Sequence, residues 1–196
     1  MEIIVKIKEI SCSEGAYHKL SALGKQTAAS KAEQLLALLP QELASKLLEM
    51  LAQENKGEQL AQLIREQEKE ILQKLAAFLE KNGITPCIES VSMDETMQIT
   101  VKIGKIDYGA MTAMFLPLLR KVELSDNHPA VAMLAVLLKL PGGMIRGAVD
   151  KLPQKKKDEA MVYFINKYGA KMTGKIESLA KKAGLHIRLD AITAKL

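Results

Sequence analysis

The chain opens on a two-residue period. Ile3, Val5 and Ile7 alternate with Ile4, Lys6 and Lys8, and the pattern returns where Ile99, Val101 and Ile103 alternate with Thr100, Lys102 and Gly104. β-Branched residues on a period of two predict strands with one buried face. In both stretches the parity then breaks, because Ile10 and Ile106 fall on the opposite face, which requires a bulge, a bend or a strand end. Elsewhere apolar residues recur three and four apart. Leu60, Leu63, Ile64, Ile71, Leu75, Phe78 and Leu79 form one such stripe, and Met161, Phe164, Ile165, Tyr168, Met172, Ile176 and Leu179 another. Each predicts a long amphipathic helix, ended by Gly83 or Gly184. Further helices are expected from Gly15 and Gly109, and after the Leu-Pro pairs at 39–40 and 140–141, because Pro suits a helix's first turn. Segments 84–93 and 185–194 predict closing strands.

These elements occur twice, in one order. MEIIVKIKEI at residue 1 and MQITVKIGKI at residue 97 share six of ten positions, which sets an offset of 96. LLALLP at 35 then faces VLLKLP at 136, and the offset of 101 holds to the end, matching Ile64 with Ile165, Lys74 with Lys175 and Gly83 with Gly184. A tandem duplication follows, with copies over 1–96 and 97–196. The expected fold class is α+β, two fused β-α-α-α-β units. Strand 84–93 meets strand 97–106 through Asp94-Glu95-Thr96, too short for anything but an antiparallel hairpin. The two copies are therefore expected to share a four-stranded, largely antiparallel sheet with helices packed on it, as one compact body.

Composition refines this picture. Aromatic residues are 4% of the chain and Trp is absent, so burial must come from aliphatic side chains and ten Met. No apolar run approaches the roughly twenty residues a bilayer needs, and the first residues lack a secretory pattern, so a cytoplasmic location is expected. Cys12 and Cys87 are expected to be free thiols, although both lie at or near predicted strands and a bridge is left open. Charge separates the halves: copy one carries 11 Lys+Arg and 15 Asp+Glu, copy two 17 and 8. Opposite charge helps the halves associate, and the excess on copy two also suits an anionic partner. Its densest stretch is KLPQKKKDE, with Lys151, Lys155, Lys156 and Lys157. Nucleic acid is disfavoured, because neither aromatic stacking groups nor clustered Arg accompany these lysines.

Copy two is also the greasier half. GAMTAMFLPLL stands where copy one has GAYHKLSALGK, and Met111, Met114, Phe115 and Leu118 leave that helix little polar face. A helix apolar all round must be covered by the protein's own core, by a second subunit or by a ligand. Catalytic chemistry is not indicated. His18, His128 and His186 have no ligand partner at metal spacing. Gly142-Gly143 with Arg146 one turn on lacks the rest of a phosphate loop, and Asp107-Tyr108 after the strand has no matching pair in copy one. No metal and no cofactor are expected. The reading is a non-enzymatic interaction protein. Its apolar, basic second copy would meet a protein partner or itself, through Met111, Met114, Phe115, Leu118, Arg146, Lys151, Lys155, Lys156 and Lys157. The alternatives are a carrier of a hydrophobic or amphiphilic small molecule and an enzyme whose site is not readable from sequence.

Overall fold

The structure is a computed structural model, and it describes residues 1–12, 46, 56–120, 127–182 and 184–196. The expected helix from Gly15, His18, and the expected helix after Pro40 apart from Lys46, which is helical and exposed, lie outside the described residues. Strand β1 spans Glu2–Cys12, helix α1 Lys56–Lys81, and strands β2 and β3 Ile88–Met93 and Gln98–Ile103. Helices α2 (Tyr108–Leu119), α3 (Pro129–Leu138), α4 (Gly142–Asp150) and α5 (Gln154–Lys182) follow, and strand β4 (Leu185–Lys195) closes the chain. The class is α+β, with one antiparallel sheet of order β2-β3-β1-β4.

The alternating residues behave as their period requires. Ile3, Val5, Ile7, Ile99, Ile192 and Ala194 all join clusters beneath α1 and α5. Leu60, Ala61, Ile64 and Ala180 close one cluster over Ile7, Ile10 and Met93, and Met161, Val162 and Ile165 close the other over Ile3, Val5, Ile192 and Ala194. The two parity breaks have different causes. Register shifts after Ile7, where Lys8 is the unpaired residue, and Ile10 thereby returns to the buried face. β3 simply ends at Ile103, and Ile106 is buried beyond it against Ile145 and Val149.

Short-range chemistry sets the boundaries. Gly83 and Gly184, each two residues past the end of α1 and α5, take φ of 72° and 80°, a region glycine enters at no steric cost. The β2–β3 connection is tight. Asp94 Oδ1 accepts from the Thr96 hydroxyl at 2.6 Å and from the Thr96 and Gln98 N–H groups at 3.0 Å each. These bonds hold the Asp94 carboxyl below the usual carboxylate range, the Thr96 hydroxyl being the largest cause. A depressed folded pKa adds stability above the ordinary Asp pKa and loses it as pH falls through the folded value. The turn is exposed and water screens these bonds, so Asp94→Ala is expected to cost only a few tenths to about 1 kcal/mol at neutral pH. Urea melts taken from pH 6 down to pH 2 should show the difference from the wild type shrinking below pH 4.

The cysteines stand apart. Cys12 pairs with Leu185 at one end of β1, whereas the Cys87 carbonyl accepts from Gly104 beside Ile103, which pairs with Met1 at the other end. Strand rise separates their backbones by on the order of 30 Å, and a bridge needs Cα atoms within about 7 Å. Cys87 is a free thiol.

Candidate functional site

Helices α2, α3 and α4 form the third cluster, attached to the sheet end. Ile106, Tyr108, Leu116, Ile145 and Val149 are buried together, with Met1, Cys87, Ile103, Met111 and Met161 packed around them. Local signals place each helix. Asp107 precedes α2 and its Oδ1 accepts from the Ala110 N–H at 2.9 Å, a carboxylate at the positive helix end. His128 caps α3 by accepting from the Ala130 N–H through Nδ1 at 3.2 Å, and its ring stacks on Tyr163 of α5 with centroids 3.7 Å apart. Arg120 closes α3 from outside, donating to the carbonyls of Leu138 and Leu140 at 3.3 and 2.9 Å.

A cleft of about 560 Å³ opens where this cluster meets the β2–β3 end, lined by Cys87, Glu89, Lys105, Tyr108, Asp150 and Lys157 among others. Tyr108 is its structural centre. Its hydroxyl donates to Asp158 Oδ1 at 2.7 Å, Gln154 Nε2 donates to the same oxygen at 3.1 Å, and Lys157 Nζ lies 5.8 Å from the ring centroid. Burial first, then the bond to Asp158, pushes the phenol far above its usual range, so it remains a neutral donor. Burial likewise raises the Cys87 thiol, which disfavours the thiolate a nucleophile would need. Arg146 spans two carboxylates, Asp107 at 3.3 Å and Asp150 at 3.9 Å. The groups are therefore largely spent on one another. They tie α2, α4 and α5 together, and they do not form a nucleophile with its base. Among the described residues, no three His, Cys, Asp or Glu side chains are grouped to hold a metal ion.

The sequence-predicted site residues divide accordingly. Met111 packs against the buried cluster. The side chains of Met114, Phe115 and Leu118 lie outside the described residues, although the α2 backbone runs through them. Arg146 is engaged with Asp107 and Asp150, and Lys157 lines the cleft. Lys151 is the C-cap of α4, and Lys155 and Lys156 are exposed in the first turn of α5. Sequence reasoning missed α3 and the outer side of α4. Only Ala130 and Val131 of the ten apolar α3 residues are buried, Val136 is 63% exposed, and Met144 of α4 is 62% exposed. The all-apolar composition of PAVAMLAVLL was the available signal. Among the described residues, no helix is long and apolar enough to cross a membrane. Comparison with known proteins yields no match to a family model, a curated protein or a solved structure.

Proposed function

We propose that this is a non-enzymatic interaction protein whose α3–α4 surface receives an acidic amphipathic segment of a partner protein. One observation carries the reading: Val136 and Met144 stand open to water on either side of the turn joining α3 to α4. The cations that follow in the chain give the occupant its sign. Lys139 lies in that turn, Lys151 in the next, and Lys155 and Lys156 in the first turn of α5. Lysines at a helix N-terminus oppose the helix dipole, so fold stability does not account for them. A second copy of the same face would set lysine against lysine, whereas an acidic rim around an apolar stripe meets both requirements.

The probe is a fluorescein-labelled helical peptide with Leu at i, i+3, i+4 and i+7 and Glu elsewhere, titrated by anisotropy beside the same peptide with Lys for Glu. The acidic peptide is expected to bind saturably and more weakly at 0.5 M salt. Val136→Asp or Met144→Glu should reduce its affinity at least about tenfold, the loss of one buried apolar anchor. Equal binding of the basic peptide, or indifference to both substitutions, rejects the reading. A micromolar dimer that Met144→Glu dissociates would reject it in favour of self-association.

We also infer that the chain is a fused duplication over 1–96 and 97–196, with a pseudo-twofold axis through the sheet and the halves forming one body. The register supports this in detail. Ile4 pairs with Thr100, the same position of each copy. The Ile103 N–H bonds to the Met1 carbonyl at 2.8 Å and the Ile7 N–H to the Met97 carbonyl at 3.1 Å, a pair of bonds that exchanging the copies interconverts. The residues skipped in β2 and β4 are Glu89 and Asp190, which the offset of 101 also equates. Exchanging β1 with β3 and β2 with β4 leaves the strand order unchanged.

A further inference from the structure

Among the described residues, strands β2 and β4 are the two edges of the sheet, and β4 is eleven residues long. An edge of that length ordinarily offers its unpaired N–H and C=O groups to any extended chain. The geometry points to a closed edge instead. We infer that α1 and α5 are edge plugs, whose polar side chains occupy the outward backbone groups of β2 and β4 and close the sheet to strand addition.

Antiparallel pairing alternates inward and outward backbone groups. β1 bonds to β3 through its odd residues, as Met1 and Ile7 show, so its even residues bond to β4. Ala194 and Ile192, opposite Ile3 and Val5, therefore point their backbone groups away from β1. Four of the outward groups of β4 meet α5. Asn166 treats Ala194 as a neighbouring strand residue would: its Oδ1 accepts from the Ala194 N–H at 2.7 Å and its Nδ2 donates to the Ala194 carbonyl at 3.0 Å. The Ile192 carbonyl oxygen sits against Gly169, where a Cβ would overlap it. Glu177 Oε1 accepts from the Leu189 N–H at 2.7 Å. Residues 166, 169 and 177 lie on one stripe of the helix and meet 194, 192 and 189 in reverse order, so α5 runs antiparallel along the edge as a surrogate fifth strand. At the other edge one outward group is held in the same way. Glu68 Oε1 of α1 accepts from the Val91 N–H at 3.1 Å, and Val91 faces outward by the same alternation.

The consequence concerns binding mode and does not depend on the α3–α4 proposal. A partner of this protein is expected to dock on helices or loops, because an added strand would have to displace Asn166 and Glu177 at β4 and Glu68 at β2.

Amide hydrogen exchange on the full chain tests this. Glu177→Ala is expected to lower protection at Leu189, and Asn166→Ala at Ala194, each by about tenfold or more, the loss of a charge-assisted or bidentate bond. Glu177→Gln keeps an acceptor and should retain protection. Ile99 and Val101, inside the sheet, serve as reporters of global stability and should be unchanged. The Asn166→Ala/Glu177→Ala double variant should also bind a labelled peptide of the β4 sequence, LHIRLDAITAK, which the wild type should not. If the double variant fails to fold, the single-variant amides still decide. Unchanged protection at Leu189 and Ala194, an equal loss at Ile99, or binding of the peptide by the wild type would each overturn the inference.

Discussion

Gly169→Ala is expected to destabilise the protein by about 2 kcal/mol, although alanine is the better helix former by about 1 kcal/mol. The reason is steric. A methyl group at this position would occupy the space of the Ile192 carbonyl oxygen, a backbone atom of β4. Neither partner can yield as a flexible side chain would, so α5 must lift from the strand along its whole stripe. Lifting it also stretches the Asn166 and Glu177 bonds and loosens Ile165 over Ile192 and Ala194. Gly174, in the same helix, has nothing within contact distance of an added Cβ, and Gly147 in α4 likewise. Gly174→Ala and Gly147→Ala should each stabilise by up to about 1 kcal/mol, the helix propensity gain alone. Urea denaturation of the three variants reads the sign directly. A stabilised Gly169→Ala would show that α5 does not sit on β4 as closely as described.

The larger loss is expected at Ile145. Its side chain is 0% exposed at the centre of the α2–α4 cluster, among Ile106, Tyr108, Leu116 and Val149. Ile145→Ala should cost about 3 to 4 kcal/mol, transfer free energy plus the cavity it leaves, and Ile145→Val about 1 kcal/mol. That cluster includes Met1 and Ile103 from the sheet and Met161 from α5, so its loss should appear in one cooperative transition with the rest of the protein. Two separated transitions by circular dichroism and by Tyr fluorescence would mean that α2–α4 melts as its own unit. Met144, one residue away but 62% exposed, should accept Glu within about 0.5 kcal/mol. The contrast between neighbours separates the side of α4 that holds the fold from the side proposed to meet a partner.

Much of this architecture was legible in the chain because its signals are local. Period-two β-branched runs gave β1 and β3, and period 3.6 gave α1 and α5. A three-residue connection left the β2–β3 pair no choice but a hairpin. Gly83 and Gly184 marked helix ends because few other residues enter positive φ readily. Even the parity breaks at Ile10 and Ile106 were visible, although nothing local distinguished the bulge of one from the strand end of the other.

What stayed hidden depends on contacts between residues distant in sequence. Tyr108 and Asp158 stand fifty residues apart, and neither residue type announces that one will bond the other. Glu68, Asn166 and Glu177 read as ordinary polar positions on amphipathic helices; their partners are backbone groups of strands, which carry no sequence signature. Gly169 reads as a weak helix residue until the Ile192 carbonyl beside it is known. The uniformly apolar α3 required some cover, but hydropathy records only how much surface seeks burial, not which side receives it. Periodicity thus specifies elements through each residue's immediate neighbours, whereas the side chains held against the sheet edges, the cross-linked wall of the cleft and the open Val136 and Met144 arise from packing between elements, where the chain's order in sequence no longer sets the distances.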